Sequence, residues 1–276
     1  MTSAFEWNGR VGDVWAEEWR RTDRSFTDLS RQLDAAILEA APESGAAIDI
    51  GCGAGGTSIA LATARPRLAV VGVDLSPALV AIAAERAQGI DNLSFRVGDA
   101  RDLPHASADF LFSRHGVMFF DDPVAGFAAL RAVARPGARL VFSCFRARAD
   151  NQWALTAEAA VGNSGAPTTT YAPGPFALAD RDFTARVLRE AGWRDPEARS
   201  ADFAYVAGAG DDPVADAMSF FSRIGPAARA LAAAPPDRRA AMRDKLAAAL
   251  ADHVTNGTVT FRGAAWIWSA IAGERP

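Results

Sequence analysis

Apolar positions in residues 1–45 recur mostly at helical spacing. Phe5, Trp7, Trp15 and Trp19 lead into Phe26, Leu29, Leu33, Ile37 and Leu38, which predicts an amphipathic helical segment. Pro42 and Gly45 stop it, since proline cannot continue a helix and glycine favours its end. From Ala46 the pattern changes to short β-favouring runs separated by helical ones. Strands are predicted at about 46–50, 68–73, 93–97, 110–113 and 139–145, with helices over about 55–64, 77–88 and 123–134. Ser76-Pro77 and Asp122-Pro123 each read as a helix cap followed by a first helical residue, while Gly89 and Pro136-Gly137 read as stops. Strands alternating with helices across short loops predict a doubly wound, mostly parallel α/β sheet.

The rhythm changes after Arg146. Residues 147–177 contain a short helical segment and then GAPTTTYAPGPF, a turn-rich stretch expected to cross the surface. A helix is predicted from Asp180 to Ala191, closed by Gly192, and a strand at about 201–207. Residues 211–253 read as wholly helical, with Met218, Phe220, Phe221 and Ile224 in one half and Met242, Leu246 and Leu250 in the other. Asn256-Gly257 then turns the chain into a last strand from Thr258. The expected organisation is an N-terminal helical lid (1–45), a seven-stranded core (46–210 and 255–276, with 147–177 as a variable segment) and a helical cap inserted at 211–254.

Half of the 276 residues are hydrophobic, enough for one large core. A net charge of −4 and a pI near 5.5 give no broad attraction to nucleic acid or an anionic membrane, so the expected partner is a small molecule. Lys245 is the only lysine, which removes most candidates for Schiff-base chemistry. Cys52 and Cys144 supply neither a disulfide framework nor a zinc cluster. No run approaches a membrane span, and the start shows no basic region followed by an apolar run. These features lead us to expect a soluble, unprocessed cytoplasmic protein, monomeric or homodimeric.

The chemistry gathers around AAIDIGCGAGGTSIAL, residues 46–61, which reads as strand, glycine turn and helix start. Glycines let the backbone approach a ligand, and a helix start offers unpaired N–H groups. Asp49, Asp74 and Asp99 follow three consecutive strands, and parallel strands would align them on one edge. Asp74 lies 19 residues beyond Gly55, about the spacing at which an acid meets a ribose hydroxyl pair. Gly51, Gly53 and Gly56 formally match G-x-G-x-x-G, so a nicotinamide or flavin dinucleotide is one reading. Against it, Asp49 precedes the turn and no lysine is near, whereas a carboxylate suits an amino group or sulfonium better than a pyrophosphate. S-adenosylmethionine carries both.

DIGCGAGG, VGVD, GDARDLP, FSRHGVMFFDDP and LRAVARPGARLVFSCF, in this order and spacing, resemble the successive motifs of class I S-adenosylmethionine-dependent methyltransferases of the small-molecule type, related to the ubiquinone and menaquinone C-methyltransferases. The resemblance covers nearly the whole chain and implies a Rossmann-like fold. It implies that Gly51 and Gly53 lie under the methionine part of the cofactor and that Asp49 holds its amino group. Asp74 would bind both ribose hydroxyls, Leu75 would pack on adenine, Asp99 would lie near the adenine amino group, and Ala100 would offer a backbone N–H to the ring. Ser113, Arg114 and His115 would end strand four facing the sulfonium, and Trp15 is counted on the cofactor side of the lid.

Related sequences commonly have an aromatic residue where this chain has His115, so the resemblance assigns that histidine no role. Its ordinary pKa near 6.5 makes it a candidate general base. Some catechol methyltransferases use magnesium and acids near Asp121 and Asp122, but Asp122 is explained as a cap, and no metal is expected. Nor is there a D-P-P-Y or N-P-P-Y after strand four, which argues against methylation of nucleic-acid amino groups. Trp7, Trp15, Trp153, Tyr171, Phe176, Met218 and Phe221 are candidates for an apolar acceptor pocket. The expected function is methyl transfer to a small apolar or aromatic metabolite. The alternatives are a nicotinamide-dependent oxidoreductase and a catalytically inactive methyltransferase-like binding protein.

Overall fold

The structure, a computed structural model, describes residues 7–162 and 171–274. Phe5 and the stretch GAPTTT lie outside the described residues. The N-terminal segment is helical in three pieces, α1 (Arg10–Glu17), α2 (Trp19–Ser25) and α3 (Thr27–Ala40). Glu18 and Phe26 depart from helical geometry at the two breaks. Leu29, Leu33 and Ile37 recur at four-residue steps and are the buried face of α3.

The strands are β1 (Gly45–Ile50), β2 (Leu68–Asp74), β3 (Leu93–Val97), β4 (Ala108–Arg114), β5 (Ala134–Phe145), β6 (Trp193–Gly208), β7 (Val254–Thr255) and β8 (Thr258–Ala272). They form one sheet of order β3-β2-β1-β4-β5-β8-β6, with β7 paired to β8. The first five strands are parallel, and β8 runs antiparallel to both β5 and β6. Helices α4 (Gly56–Ala64), α5 (Pro77–Arg86) and α6 (Pro123–Val133) connect the parallel strands. The last four residues of β1 are all buried, as a central parallel strand covered on both faces requires.

The doubly wound architecture is as expected, with eight strands among the described residues rather than seven. The extra strand is the two-residue β7, closed onto β8 by Asn256-Gly257, whose φ angles of 50° and 75° suit a tight hairpin turn. β6 begins at Trp193 rather than near Ala201. Its first half is charged and largely exposed, yet it pairs with β8 through the main chain. An edge strand needs no hydrophobic alternation to make those bonds, so the sequence pattern did not mark it. β5 likewise starts at Ala134, and the Pro136-Gly137 turn lies in an irregularity of its pairing with β4.

Phe142 and Trp268 are register partners on β5 and β8, with rings stacked 6.3 Å apart, a cross-strand pair at the heart of the core. Trp193 is fully buried and donates its indole N–H to the Phe127 carbonyl at 2.9 Å. After β5 come α7 (Gln152–Ala160) and α8 (Arg181–Glu190). The stretch before β7 forms α9 (Pro213–Phe221), α10 (Pro226–Ala233) and α11 (Pro236–Ala251), each opened by a proline at its first position. Both α10 and α11 pack on α7, and α9 packs on β6 and β8. No helix among the described residues is long and apolar enough to cross a membrane.

Candidate active site

β1 lies between β2 and β4, so the winding direction reverses there and a crevice opens at the strands' carboxyl ends. The chain leaves β1 through Gly51 and Gly53, at φ 64° and 54°, a region that side-chain-bearing residues seldom adopt. The Gly51 and Cys52 N–H groups both donate to the Val73 carbonyl, at 2.9 and 3.1 Å, tying the turn to β2. A Cβ placed on Gly53 would meet nothing within 4 Å, which leaves that side of the turn open to a ligand.

Three carboxylates follow the sheet edge in strand order. Asp99 follows β3. Burial would raise its carboxyl, but the Arg101 side chain and backbone N–H outweigh that and hold it below the usual range. Asp74 ends β2 and accepts from Gly53 N–H at 2.8 Å and Ser76 N–H at 2.9 Å. Burial raises its pKa despite these donors. Asp49, on β1, is 1% exposed. One of its oxygens accepts from the Ser58 hydroxyl at 2.6 Å, and the other is buried without a hydrogen-bond partner. Burial pushes Asp49 up to about 7, against the opposing pull of Ser58 and Arg114. A buried polar oxygen without a partner is costly, and this one lies two residues before the open glycine turn.

Arg114, at the end of β4, continues the row. It donates to Asp23 of α2 at 2.6 Å and to the Ser30 hydroxyl at 3.2 Å. Ser113 does not line the crevice, contrary to expectation. Its hydroxyl donates to the Ile50 carbonyl at 2.6 Å and accepts from Gly116 N–H at 3.1 Å, so it braces β4 against β1 from the interior.

His115 is 6% exposed and adopts φ 65°, ψ 1°. Its Nδ1 lies 2.8 Å from the Ser143 hydroxyl, Nε2 has no hydrogen-bond partner, and the ring sits 4.9 Å from Phe26 and 4.4 Å from Phe145. Burial, then the charge of Arg114, drives its pKa down to about 3. The imidazole is therefore neutral throughout the physiological range.

The crevice encloses about 1430 Å³, more than the roughly 300–1,000 Å³ of ordinary small-molecule pockets. Asp49, Gly51, Gly53, Asp74, Leu75, Asp99 and Ala100 line one end, with Trp15 above them. Beyond His115 the lining turns aromatic, through Phe26, Phe145, Trp153, Phe176 and Tyr205. Trp7, Trp15 and Phe221 also face it, but Tyr171 and Met218 do not. The Tyr171 hydroxyl donates to the Phe120 carbonyl at 2.6 Å, and Met218 is buried in the packing of α9. Asp122 accepts from Ala125 N–H at 3.0 Å as the cap of α6. Among the described residues no cluster of three or more His, Cys, Asp or Glu side chains forms a metal-binding group.

Residues 43–177 match the model of the methyltransferase domain family. The demethylmenaquinone methyltransferase of Deinococcus radiodurans is 31% identical over 162 residues, 53% of this chain and 67% of that protein. The chain belongs to the class I S-adenosylmethionine-dependent methyltransferases. The malonyl-[acyl-carrier protein] O-methyltransferase of Hahella chejuensis is 32% identical over 145 residues, 52% of this chain but only 48% of the relative's length. Among solved structures, the YcgJ protein of Bacillus subtilis shares the fold at a TM-score of 0.59 with 17% identity, covering 89% of this chain and 99% of that one.

Several residues of this methyltransferase site escaped sequence reading. Tyr205 comes from the edge strand β6, and its ring stacks on Trp153 at 5.1 Å. Asp23 and Arg86 meet at 3.0 Å from α2 and α5. Glu18, itself 1% exposed, pairs with Arg21 at 2.7 Å and, at 3.0 Å, with Arg223, which lines the crevice. Asp216 of α9 takes Arg21 at 2.6 Å and Arg24 at 2.7 Å. Apart from the i,i+3 pair Glu18–Arg21, the partners are so distant in the chain that they leave no spacing signal.

Proposed function

We propose that this protein transfers the methyl group of S-adenosylmethionine to a small apolar or aromatic acceptor seated in the aromatic half of the crevice. The observation that carries the reading is the row Asp99, Asp74, Asp49 beside an open glycine turn, ending in a buried carboxylate oxygen with no partner. Asp99 and Ala100 would receive adenine, Leu75 would pack on it, Asp74 would take the ribose hydroxyls, and Asp49 the amino group. Bound there, the cofactor supplies an electrophilic methyl on sulfur. The chain's part is to align the acceptor with that methyl and exclude water, so proximity and orientation provide most of the acceleration. In this reading the N-terminal helices act as a lid and α9–α11 as a cap, held together by the Glu18 and Asp216 ion pairs. The setting is the reducing cytoplasm, where Cys52 and Cys144 stay free thiols.

Calorimetry with S-adenosylhomocysteine and with NAD tests the cofactor, and saturable binding of NAD alone would overturn it. Transfer of a labelled methyl group to a metabolite panel tests the activity. The pH dependence follows from Asp49. An acid at about 7 in the folded state binds more protons folded than unfolded, so the empty protein loses stability as pH rises from about 4 to about 7. A ligand ammonium reverses this preference because it needs the carboxylate ionised. S-adenosylhomocysteine affinity is therefore expected to rise about tenfold from pH 6 to pH 8, with proton release below neutrality. Calorimetry in buffers of different ionisation enthalpy measures both, and a flat profile excludes Asp49 as the ammonium partner.

With its pKa near 3, His115 is a weak base, and its packing against Phe26 and Phe145 supports a positioning role instead. His115→Gln is expected to keep turnover within about threefold at every pH from 6 to 8, whereas loss of a general base costs about 10²–10⁴-fold. Turnover rates with an acceptor found in the labelling panel distinguish the two roles.

A further inference from the structure

Beyond Asp49 the sheet edge carries a cation, and that cation is already occupied. Arg114 Nη2 lies 2.6 Å from one oxygen of Asp23, and Arg86 Nη1 lies 3.0 Å from the other. Arg86 is itself fixed, donating to the Ala54 carbonyl at 2.5 Å and stacking on the Trp19 ring at 4.2 Å. The same Asp23 oxygens lie 3.6 and 3.7 Å from the position of a Cβ on Gly56, in the first turn of α4. Two guanidinium groups and the start of a helix thus converge on a carboxylate delivered from α2, a helix outside the sheet. Asp23 and Arg114 both line the crevice.

The order of charges along the edge gives this arrangement its meaning. From β3 to β4 it runs Asp99, Asp74, Asp49, Arg114. A ligand with adenine at one end and an amino acid at the other would place its ribose at Asp74 and its ammonium at the orphan oxygen of Asp49. The carboxylate on the same carbon as that ammonium then falls beside Asp49, on the Arg114 side. Resting on the cofactor assignment above, we propose that Arg114 forms the subsite for the amino-acid carboxylate of the ligand, and that Asp23, held also by Arg86, is an internal carboxylate which fills this subsite until the ligand displaces it. Asp23 then links occupation of the cleft to the position of α2. While the subsite holds Asp23, the helix is clamped to the sheet edge; when a ligand carboxylate takes Arg114, the clamp is released.

Two ligands isolate the amino-acid end: S-adenosylhomocysteine carries its ammonium and carboxylate, and 5′-methylthioadenosine keeps the adenosine and thioether but lacks both; the sign of the effect assigns it to the carboxylate, because removing a negative charge weakens the hold on an ammonium. Removing the competing charge with Asp23→Asn is expected to tighten S-adenosylhomocysteine about fivefold, the scale of one partly exposed ion pair, and to leave 5′-methylthioadenosine unchanged. A weaker S-adenosylhomocysteine complex, or an equal change for both ligands, overturns the proposal by making Asp23 a simple brace for Arg114. Arg114→Gln gives a second reading that does not depend on the fold of the Asp23 variant. It is expected to shrink the preference for S-adenosylhomocysteine over 5′-methylthioadenosine by about tenfold, as loss of a charged hydrogen bond does; an unchanged preference overturns the proposal. If wild-type protein binds neither ligand, the cofactor assignment itself is wrong. If it binds both and the variants show no carboxylate-specific effect, only the present inference is wrong.

Discussion

Asp74→Ala is expected to weaken S-adenosylhomocysteine binding by at least about a hundredfold, since each hydrogen bond to a charged group contributes about 1.5–3 kcal/mol. Two losses combine. On the proposed cofactor placement the ribose hydroxyls would lose their acceptor, and the Gly53 and Ser76 N–H groups, at 2.8 and 2.9 Å from the carboxylate, lose theirs. The glycine turn is then no longer held to the end of β2 from that side. A carboxylate offers about four acceptor positions, so it can serve two backbone donors and two hydroxyls together. Asp74→Asn keeps one oxygen and is expected to fall between alanine and wild type. Calorimetric titration checks both variants, and an affinity for the alanine variant within about fivefold of wild type would remove Asp74 from the ribose site.

Gly116→Ala is expected to cost about 2–3 kcal/mol of stability and to lower the melting temperature by roughly 5 °C. A Cβ there would stand 2.5 Å from the Ile50 carbonyl oxygen, 2.9 Å from the Ser113 hydroxyl and 3.1 Å from the Gly51 Cα. Two of these are backbone atoms and cannot rotate away. The one movement that relieves the clash carries the β4 terminus away from the glycine turn, so S-adenosylhomocysteine binding is expected to weaken with stability. Thermal unfolding with and without ligand separates the effects. An unchanged melting temperature would mean that the two turns slide past each other freely and that Ser113 does not brace them.

The alternation of strands and helices from Ala46 to Phe145 was legible in the chain because buried parallel strands read as continuous apolar runs and because Ser76 and Asp122 cap their helices as their side chains require. Asp49, Asp74 and Asp99 were legible for a related reason. Each lies at or just past the carboxyl end of its own strand, and parallel pairing converts that local position into a shared edge. Beyond the central sheet, legibility fell away. The first half of β6 is polar and edge-paired, and the cap helices are broken by prolines where periodicity alone reads one helical stretch.

The roles of individual polar side chains required the folded molecule. Nothing in the sequence around Ser113 shows that its hydroxyl is spent on Ile50 and Gly116, or that His115 is buried among Phe26 and Phe145 and so loses the basicity its type suggests. Nor does spacing reveal that Asp23, 91 residues from Arg114, closes the row of charges that starts at Asp99. Local sequence is sufficient for element type and for residues at strand ends, because both depend on neighbours in the chain. Burial, desolvation and ion pairing depend on what other elements bring alongside. The family and the row of acids along the sheet edge were therefore written in the motifs, while the state of the histidine and the partner of the arginine were set by packing.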